Sequence, residues 1–212
     1  MDPSHAKKYK RSEIEGIVDA LLGEGYPDGI CVPIDIDVLA QQHPRVDDIV
    51  PAELEERFNV AAVLLYKPTC RRFDIFFDEN TPRGRTSFSI AHEFAHVVLH
   101  GEVCTVCETL DAAIELRTRL QRRYTQMEID ADYFARSILM PRNRVLQDTA
   151  QLYEGLFKLY GCDPMLIQTK LCPHMARQYG VSNRAMEIRL ELLGLRKAVA
   201  EALQHKFSTI DI

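Results

Sequence analysis

Residues 89–100 constrain this chain more than any other stretch, because they combine apolar side chains at helical spacing with the pattern H-E-x-x-H. The run contains neither Gly nor Pro, so it predicts an uninterrupted helix. At about 100° per residue, His92 and His96 lie one turn apart on a single helix face. Two imidazoles in that arrangement can reach one tetrahedral Zn²⁺, and Glu93 beside them can accept a proton without ligating the metal.

The same pattern also occurs by chance, in which case the histidines would bond to neighbouring side chains of a half-buried helix. The rest of this helix is apolar, however, and buried imidazoles and carboxylates cost free energy unless they have partners. A metal ion would supply that partner. His100 lies one turn beyond His96. We expect it to contact a metal-binding residue without binding the metal itself, or to lie at the edge of the core, because a fourth protein ligand would close a catalytic site.

Residues 127–141 read as a second helix, which ends before Pro141 and offers Glu128, Asp130 and Asp132 as the third ligand. Glu128 and Asp132 are four residues apart and share a face. That spacing suits a metal ligand followed by a carboxylate that holds the second N–H of a ligand histidine. Asp130 points elsewhere and is expected to be solvated. The alternative is that all three carboxylates are surface charges.

The runs A-H-E-F-A-H-V-V-L-H, at 91–100, and E-I-D-A-D-Y-F-A-R-S-I-L-M-P, at 128–141, resemble the two signatures of the ImmA/IrrE family of zinc metallopeptidases. The resemblance implies a minimal gluzincin-like site with the zinc ligands His92, His96 and Glu128 and the general base Glu93. Asp132 falls where the family has Asp or Asn.

The resemblance also implies a function. Family members cleave a transcriptional repressor or similar regulatory protein at one site, often in a prophage, another mobile element or a stress regulon. The target here would be a separate protein. Neither its identity nor the oligomeric state of this chain can be predicted from the sequence.

The predicted fold class is α+β, with a small sheet packed on the zincin-like helix and a mostly helical C-terminal part. Residues 12–22 read as an amphipathic helix capped by Ser12. The apolar runs 60–66 and 73–77 predict strands, the first central and the second its hairpin partner. We expect a metallopeptidase core at 1–141 and a helical region at 142–212 packed on it as one structural unit.

Residues 175–193 support a rival hypothesis, a helix-turn-helix whose second helix is capped by Ser182. Residues 170–197 carry six Lys or Arg against two Glu. DNA binders usually have a denser basic face, and a net charge of −5 gives no global attraction to nucleic acid. We therefore expect packing rather than DNA binding, with these residues buried: Met175, Val181, Ala185, Ile188, Leu192 and Leu193. A third hypothesis, a zinc-holding module that binds a partner without hydrolysis, is disfavoured by the intact Glu93.

The polar, basic residues 1–11 do not resemble a signal peptide, and no run approaches about 18 apolar residues, so neither export nor a membrane span is predicted. The expected location is the cytoplasm, where the six cysteines stay thiols. Cys104 and Cys107 form a lone CxxC that could be a redox pair, half a zinc site, an inhibitory metal contact or incidental thiols. Four residues are unranked candidates for stabilising an oxyanion: His100, Tyr133, Arg142 and His174.

Overall fold

The computed structural model describes residues 7–104, 109–121, 126–161, 164–195 and 197. The chain divides into two compact units, Met1–Leu139 and Met140–Ile212. Three strands and several helices lie in the described part of the first unit, and helices make up the described part of the second. The α+β fold class is therefore confirmed.

The first unit carries the sheet and both motif helices. Its described elements are α1 (Arg11–Gly25), α2 (Ile36–Gln41), β1 (Val46–Ala52), α3 (Glu55–Phe58), β2 (Ala62–Lys67), β3 (Arg72–Asp78), α4 (Arg83–His100), α5 (Leu110–Gln121) and α6 (Gln126–Leu139). The second unit contains α7 (Arg142–Tyr160), α8 (Pro164–Gln178) and α9 (Asn183–Leu192). Within the described ranges, no helix combines the length and the apolar character that crossing a membrane requires.

The sheet has the order β1-β3-β2, so β3 is its central strand. It pairs in parallel with β1 and antiparallel with β2. The prediction that 60–66 forms the central strand is therefore wrong, because β2 lies at an edge. Sequence analysis missed β1, since its run V-D-D-I-V-P-A contains Asp and Pro, which are depleted in strands. An edge strand tolerates Pro because one side of its hydrogen-bond ladder has no partner strand.

Helices cover both faces of the sheet. One face packs on α5 through an apolar cluster of Leu54, Val60, Val63, Ala113 and Ile114, with Phe76 against it. Side chains alternate along a strand, so Phe73 points to the other face. There the guanidinium Cζ of Arg45 lies 5.6 Å from the Phe73 ring centroid, and the same side chain lies against Gly101 at the end of α4. The motif helix α4 therefore lies on the face opposite α5.

Contacts with α4 and α1 fix α6 in place. The rings of Phe94 on α4 and Phe134 on α6 meet edge to face, with centroids 5.9 Å apart. On α1, Glu15 Oε1 accepts hydrogen bonds from the hydroxyls of Tyr133 at 2.8 Å and Ser137 at 3.2 Å. Helix α6, on which the candidate site depends, is thus held by an apolar contact with α4 and by polar contacts with α1.

One predicted helix cap is wrong and another is confirmed. Ser12 does not cap α1; the N-cap is Lys10, whose backbone N–H donates to Glu13 Oε2 at 2.7 Å. Ser182 is the N-cap of α9, and its hydroxyl accepts a hydrogen bond from the Ala185 N–H at 3.1 Å. At the start of α1 the Glu13 carboxylate thus satisfies the backbone N–H of the N-cap residue, as the carboxylate of a capping box does.

Buried polar contacts join the helices of the second unit. Asp148 on α7 accepts hydrogen bonds, each at 2.8 Å, from Gln178 Nε2 and the Tyr179 hydroxyl. Burial and the nearby carboxylate of Asp148 raise the pKa of Tyr179, so this hydroxyl keeps its proton and acts as a donor. The network fixes α8 on α7.

The buried side of α9 differs from the prediction. Met186, Arg189 and Leu190 are buried, whereas the predicted Val181, Ala185, Ile188, Leu192 and Leu193 are half-buried and only Met175 of that set is buried. The cause is polar: Arg189 Nε donates to the Met140 carbonyl at 3.0 Å. This hydrogen bond gives the buried Arg189 side chain a partner, and hydrophobic periodicity alone cannot predict a buried arginine.

Asp78 links the end of β3 to α3. Its Oδ1 accepts the backbone N–H groups of Leu54 and Glu55, both at 2.9 Å, and its Oδ2 accepts the N–H of Asn80 at 3.1 Å. These hydrogen bonds, that from Glu55 foremost, lower the pKa of the buried Asp78 carboxyl. Its ionised form therefore stabilises the fold.

We predict that Asp78→Ala lowers the free energy of unfolding by about 2 kcal/mol near neutral pH, because three backbone N–H groups, including that of the buried Leu54, lose a charged acceptor. Because the folded-state pKa is depressed, this stabilisation is present above the unfolded-state pKa of about 3.9 and is lost as pH falls through the folded-state value. Urea unfolding at several pH values measures both effects. Asp19→Ala, at an exposed position on α1, is the control, and an equal loss in the two variants at neutral pH would contradict the prediction.

Candidate metal centre

Two facing helices build the candidate site from side chains at four-residue spacing. Residues four apart lie on one helix face, so each helix presents a continuous stripe of side chains. The stripe on α4 consists of Phe88, His92, His96 and His100, and the stripe on α6 consists of Glu128, Asp132 and Arg136. The contacts described below join these two stripes along their length.

Three side chains meet at the centre of the stripes. Nε2 of His92 lies 3.2 Å from Oε2 of Glu128, and Nε2 of His96 lies 3.2 Å from Oε1 of the same carboxylate. The two Nε2 atoms are themselves 3.2 Å apart. A tetrahedral Zn²⁺ with bonds of about 2.0–2.1 Å holds its ligand atoms about 3.3–3.4 Å apart. These distances are close to the edge of a zinc tetrahedron, so the two Nε2 atoms and one oxygen of the carboxylate form a triangle that can occupy three of its corners and leave the fourth open.

Hydrogen bonding among these three groups does not explain their arrangement. All three residues are buried. The Nδ1 atoms of the two histidines contact other acceptors, Asp132 for His92 and His100 for His96. When both imidazoles donate from Nδ1, both Nε2 atoms carry lone pairs. Two nitrogen lone pairs and a carboxylate that converge in a buried place are the donor set of a metal ion, and zinc fits it.

Asp132 connects His92 to Arg136. Its Oδ1 lies 3.1 Å from His92 Nδ1. On its other side, Arg136 Nη2 donates to Asp132 Oδ2 at 3.3 Å and Nη1 donates to the Asp132 carbonyl at 2.9 Å. A carboxylate that accepts the Nδ1–H of a histidine fixes the tautomer in which Nε2 can bind a metal. Arg136 fixes that carboxylate in turn.

His100 supports His96 with a neutral ring instead of a carboxylate. The two Nδ1 atoms are 3.1 Å apart. Burial first, and then the nearby His96, lower the pKa of His100 to about 3, so at physiological pH its Nδ1 can accept the proton of His96. The edge of the Tyr9 ring packs against His100 with centroids 6.1 Å apart, and the Tyr9 hydroxyl donates to the Leu99 carbonyl at 3.0 Å. Tyr9 thus covers the outer side of His100.

Glu93 follows His92 on α4 and is 3% exposed. At about 100° of rotation from His92, its side chain leaves the ligand stripe. The group of side chains in the described ranges that could hold a metal consists of His92, His96 and Glu128 and does not include Glu93. A carboxylate beside the ligand set, but outside it, can take up a proton from a reacting group and return it.

The expectation that Asp130 is solvated is wrong. The residue is 3% exposed and accepts hydrogen bonds from Gln126 Nε2 at 2.8 Å and from the Tyr9 backbone N–H at 3.4 Å. Residues 7–10 cross this side of α6, which no local sequence pattern reveals. Asp130 is therefore a structural carboxylate that attaches the N-terminal segment to α6.

The oxyanion candidates are spread over the two units. In the first unit the Tyr133 hydroxyl donates to Glu15, and Nδ1 of His100 contacts His96. Arg142 on α7 and His174 on α8 are exposed residues of the second unit.

Sequence analysis missed two residues that contact the site from outside. Arg136 had a usable signal, since it lies four residues after Asp132 and could have been paired with it. Tyr9 had none, because its hydrogen bond to Leu99 joins residues 90 positions apart. Of the CxxC pair, Cys104 is half-buried and Cys107 lies outside the described residues.

The family profile of the IrrE N-terminal-like domain, a peptidase family, matches residues 54–191. The match spans well over half of the chain and contains both helices of the site. The chain belongs to the ImmA/IrrE family. This is a family of zinc metallopeptidases, and the triangle described above is its possible metal site in this chain.

Other comparisons add little to this assignment. No curated protein matches the sequence. One similar solved structure is a Mycobacterium tuberculosis transcriptional regulator, with a TM-score of 0.49 and 16% sequence identity. The alignment covers 84% of this chain and 46% of that one, so this chain spans less than half of that protein's length.

We predict that the purified protein binds about one Zn²⁺ per chain and that Glu128→Ala abolishes or greatly weakens the binding, because two imidazoles alone rarely hold zinc. Elemental analysis measures the stoichiometry. Zinc at about 100 times its dissociation constant should also stabilise the wild type by about 2.7 kcal/mol in thermal unfolding. The exposed Glu79→Ala serves as the control and should keep both effects. A folded wild type that takes up no zinc would refute the metal site.

Proposed function

We propose that this chain is a zinc-dependent endopeptidase that cleaves a separate regulatory protein, a transcriptional repressor, at a specific peptide bond. The observation that carries the proposal is the position of Glu93. It is a buried carboxylate adjacent in sequence to the ligand His92 and outside the three-atom ligand set. Membership of a peptidase family supports the same chemistry.

The residues have distinct roles in this mechanism. His92, His96 and Glu128 would hold the ion, which when bound supplies Lewis acidity that polarises a carbonyl and lowers the pKa of water. Glu93 takes the proton of the attacking water and returns it to the leaving amine. Its low exposure excludes bulk water from that proton transfer. Asp132 and His100 fix the tautomers of the two ligand histidines.

The resemblance of the two motifs to the family supports a repressor as substrate. Members of this family are commonly encoded near their target, so a regulator encoded beside this chain is the first substrate to test. The proposal places the reaction in the cytoplasm, where a repressor acts.

We predict that Glu93→Gln keeps its zinc but loses at least about 100-fold in cleavage rate, because glutamine cannot accept the proton. The assay incubates each variant with purified repressors encoded beside the gene and identifies fragments by intact-protein mass spectrometry. Wild type should yield two fragments from one cut, and the control Glu79→Gln should match it. Full activity in Glu93→Gln would reject Glu93 as the base.

A DNA-binding function for residues 175–193 is less well supported. Arg189 is buried and donates to the Met140 carbonyl, and Arg184 lies 3.4 Å from Glu187. Two of the three Lys or Arg side chains at 175–193 thus already have partners, which leaves a sparse cationic face.

We predict no salt-dependent retention of the protein on duplex DNA, because neutralising several phosphates requires several available cations. A duplex-DNA column eluted with a salt gradient measures this, and the same resin without DNA is the control. Retention at low salt that disappears at higher salt only on the DNA column would support the rival function.

A further inference from the structure

We propose that Arg136 is a positioning residue that determines how tightly the site holds zinc, because it fixes the carboxylate of Asp132 behind His92. The inference rests on the zinc site of the proposed function and extends it by one layer. Both guanidinium Nη atoms of Arg136 donate to Asp132, so a positioning effect on His92 would pass through that residue.

Arg136 contacts Asp132 at two points, one on its carboxylate and one on its main chain. Nη2 of Arg136 donates to Asp132 Oδ2 at 3.3 Å, while Nη1 donates to the Asp132 main-chain carbonyl at 2.9 Å. The remaining oxygen, Oδ1, is then the one that lies 3.1 Å from His92 Nδ1. The guanidinium therefore selects which carboxylate oxygen contacts the histidine.

Partial burial makes this pair different from an ordinary surface ion pair. The side chains of Arg136 and Asp132 are 19% and 20% exposed. Exposed pairs at this helical spacing contribute little, because water screens them and both side chains stay mobile. Around Arg136 and Asp132 the surrounding protein reduces this screening by water, and the pair lies beside His92, a buried residue that we propose binds zinc.

Helix α4 contacts Arg136 as well. Its Cζ lies 5.4 Å from the ring centroid of Phe88, which precedes His92 by one turn on α4. A planar guanidinium stacks on an aromatic face in a way that an ammonium does not. Arg136 is thus restrained from α6 through Asp132 and from α4 through Phe88, and the tertiary contact between the helices keeps the Asp132 carboxylate aligned.

Charge and geometry predict opposite signs for loss of Arg136. If only its charge mattered, its removal would make the site more negative and zinc would bind more tightly. If positioning dominates, the Asp132 carboxylate rotates away from His92 and zinc binds less tightly. Outer contacts to metal ligands typically affect metal affinity by about 10- to 100-fold. Since Arg136 acts one step further out, we expect positioning to dominate at the lower end of that range.

The decisive experiment compares zinc dissociation constants of the full chain by competition with a chromophoric chelator. We expect Arg136→Met to weaken zinc binding about 10-fold and Asp132→Asn to weaken it by that factor or more. In the double variant, Arg136→Met should change the affinity of Asp132→Asn by less than about twofold, because the carboxylate it would position is gone. Arg144→Met is the control, since it removes an equivalent four-residue Arg–Asp pair on α7, a helix that holds none of the proposed ligands.

A spectroscopic readout separates positioning from a general loss of stability. The visible absorption of the Co²⁺-substituted protein reports ligand geometry. It should change in Arg136→Met, return partly in Arg136→Lys, which keeps the charge but not the fork, and stay unchanged in Arg144→Met. Thermal unfolding of the metal-free variants checks that each is folded.

Three outcomes would overturn the inference while leaving the zinc site intact. They are unchanged or tighter zinc binding in Arg136→Met, an undiminished effect of Arg136→Met in the Asp132→Asn background, and an unchanged Co²⁺ spectrum. A wild type that binds no zinc would instead refute the proposed function itself. The two failures are therefore distinguishable.

Discussion

The pairing of α4 with α6 is the contact on which the rest of this site depends. It brings the Nε2 atoms of two imidazoles to 3.2 Å from each other, and each of them to 3.2 Å from one oxygen of the same carboxylate, in a buried place. Burying such groups costs free energy. The surrounding apolar contacts, including that of Phe94 with Phe134, hold the two helices together despite this cost. A bound metal ion would offset part of the cost.

The two histidines of the candidate metal centre have different supporting contacts. His92 contacts the Asp132 carboxylate, which also binds Arg136, whereas His96 contacts the neutral His100 in a covered position. The first contact adds negative charge beside His92 and then balances it. The second adds none. The charged, partly exposed Asp132 and Arg136 therefore lie towards the N-terminal end of α4, and the covered His100 lies at its C-terminal end.

Much of the fold and the core of the site follow from local patterns. Helices α1, α4 and α6 follow from apolar positions that recur with helical spacing, and β2 and β3 follow from runs that are almost wholly apolar. The missed strand β1 has the composition of a loop and becomes a strand only because β3 offers it an edge. Asp130 looked solvated because the segment that buries it lies far away in sequence, at Tyr9.

The sequence by itself determined which side chains share one face of a regular helix. A four-residue interval puts His92 beside His96, and Glu128 beside Asp132, whatever the rest of the chain does. Tertiary structure decided which stripe meets which, the strand order, and the outer contacts of Tyr9 and Phe88. The physical reason is that helical spacing is fixed by backbone hydrogen bonds within one segment. The meeting of segments depends instead on burying side chains that are distant along the chain, and no local pattern encodes that.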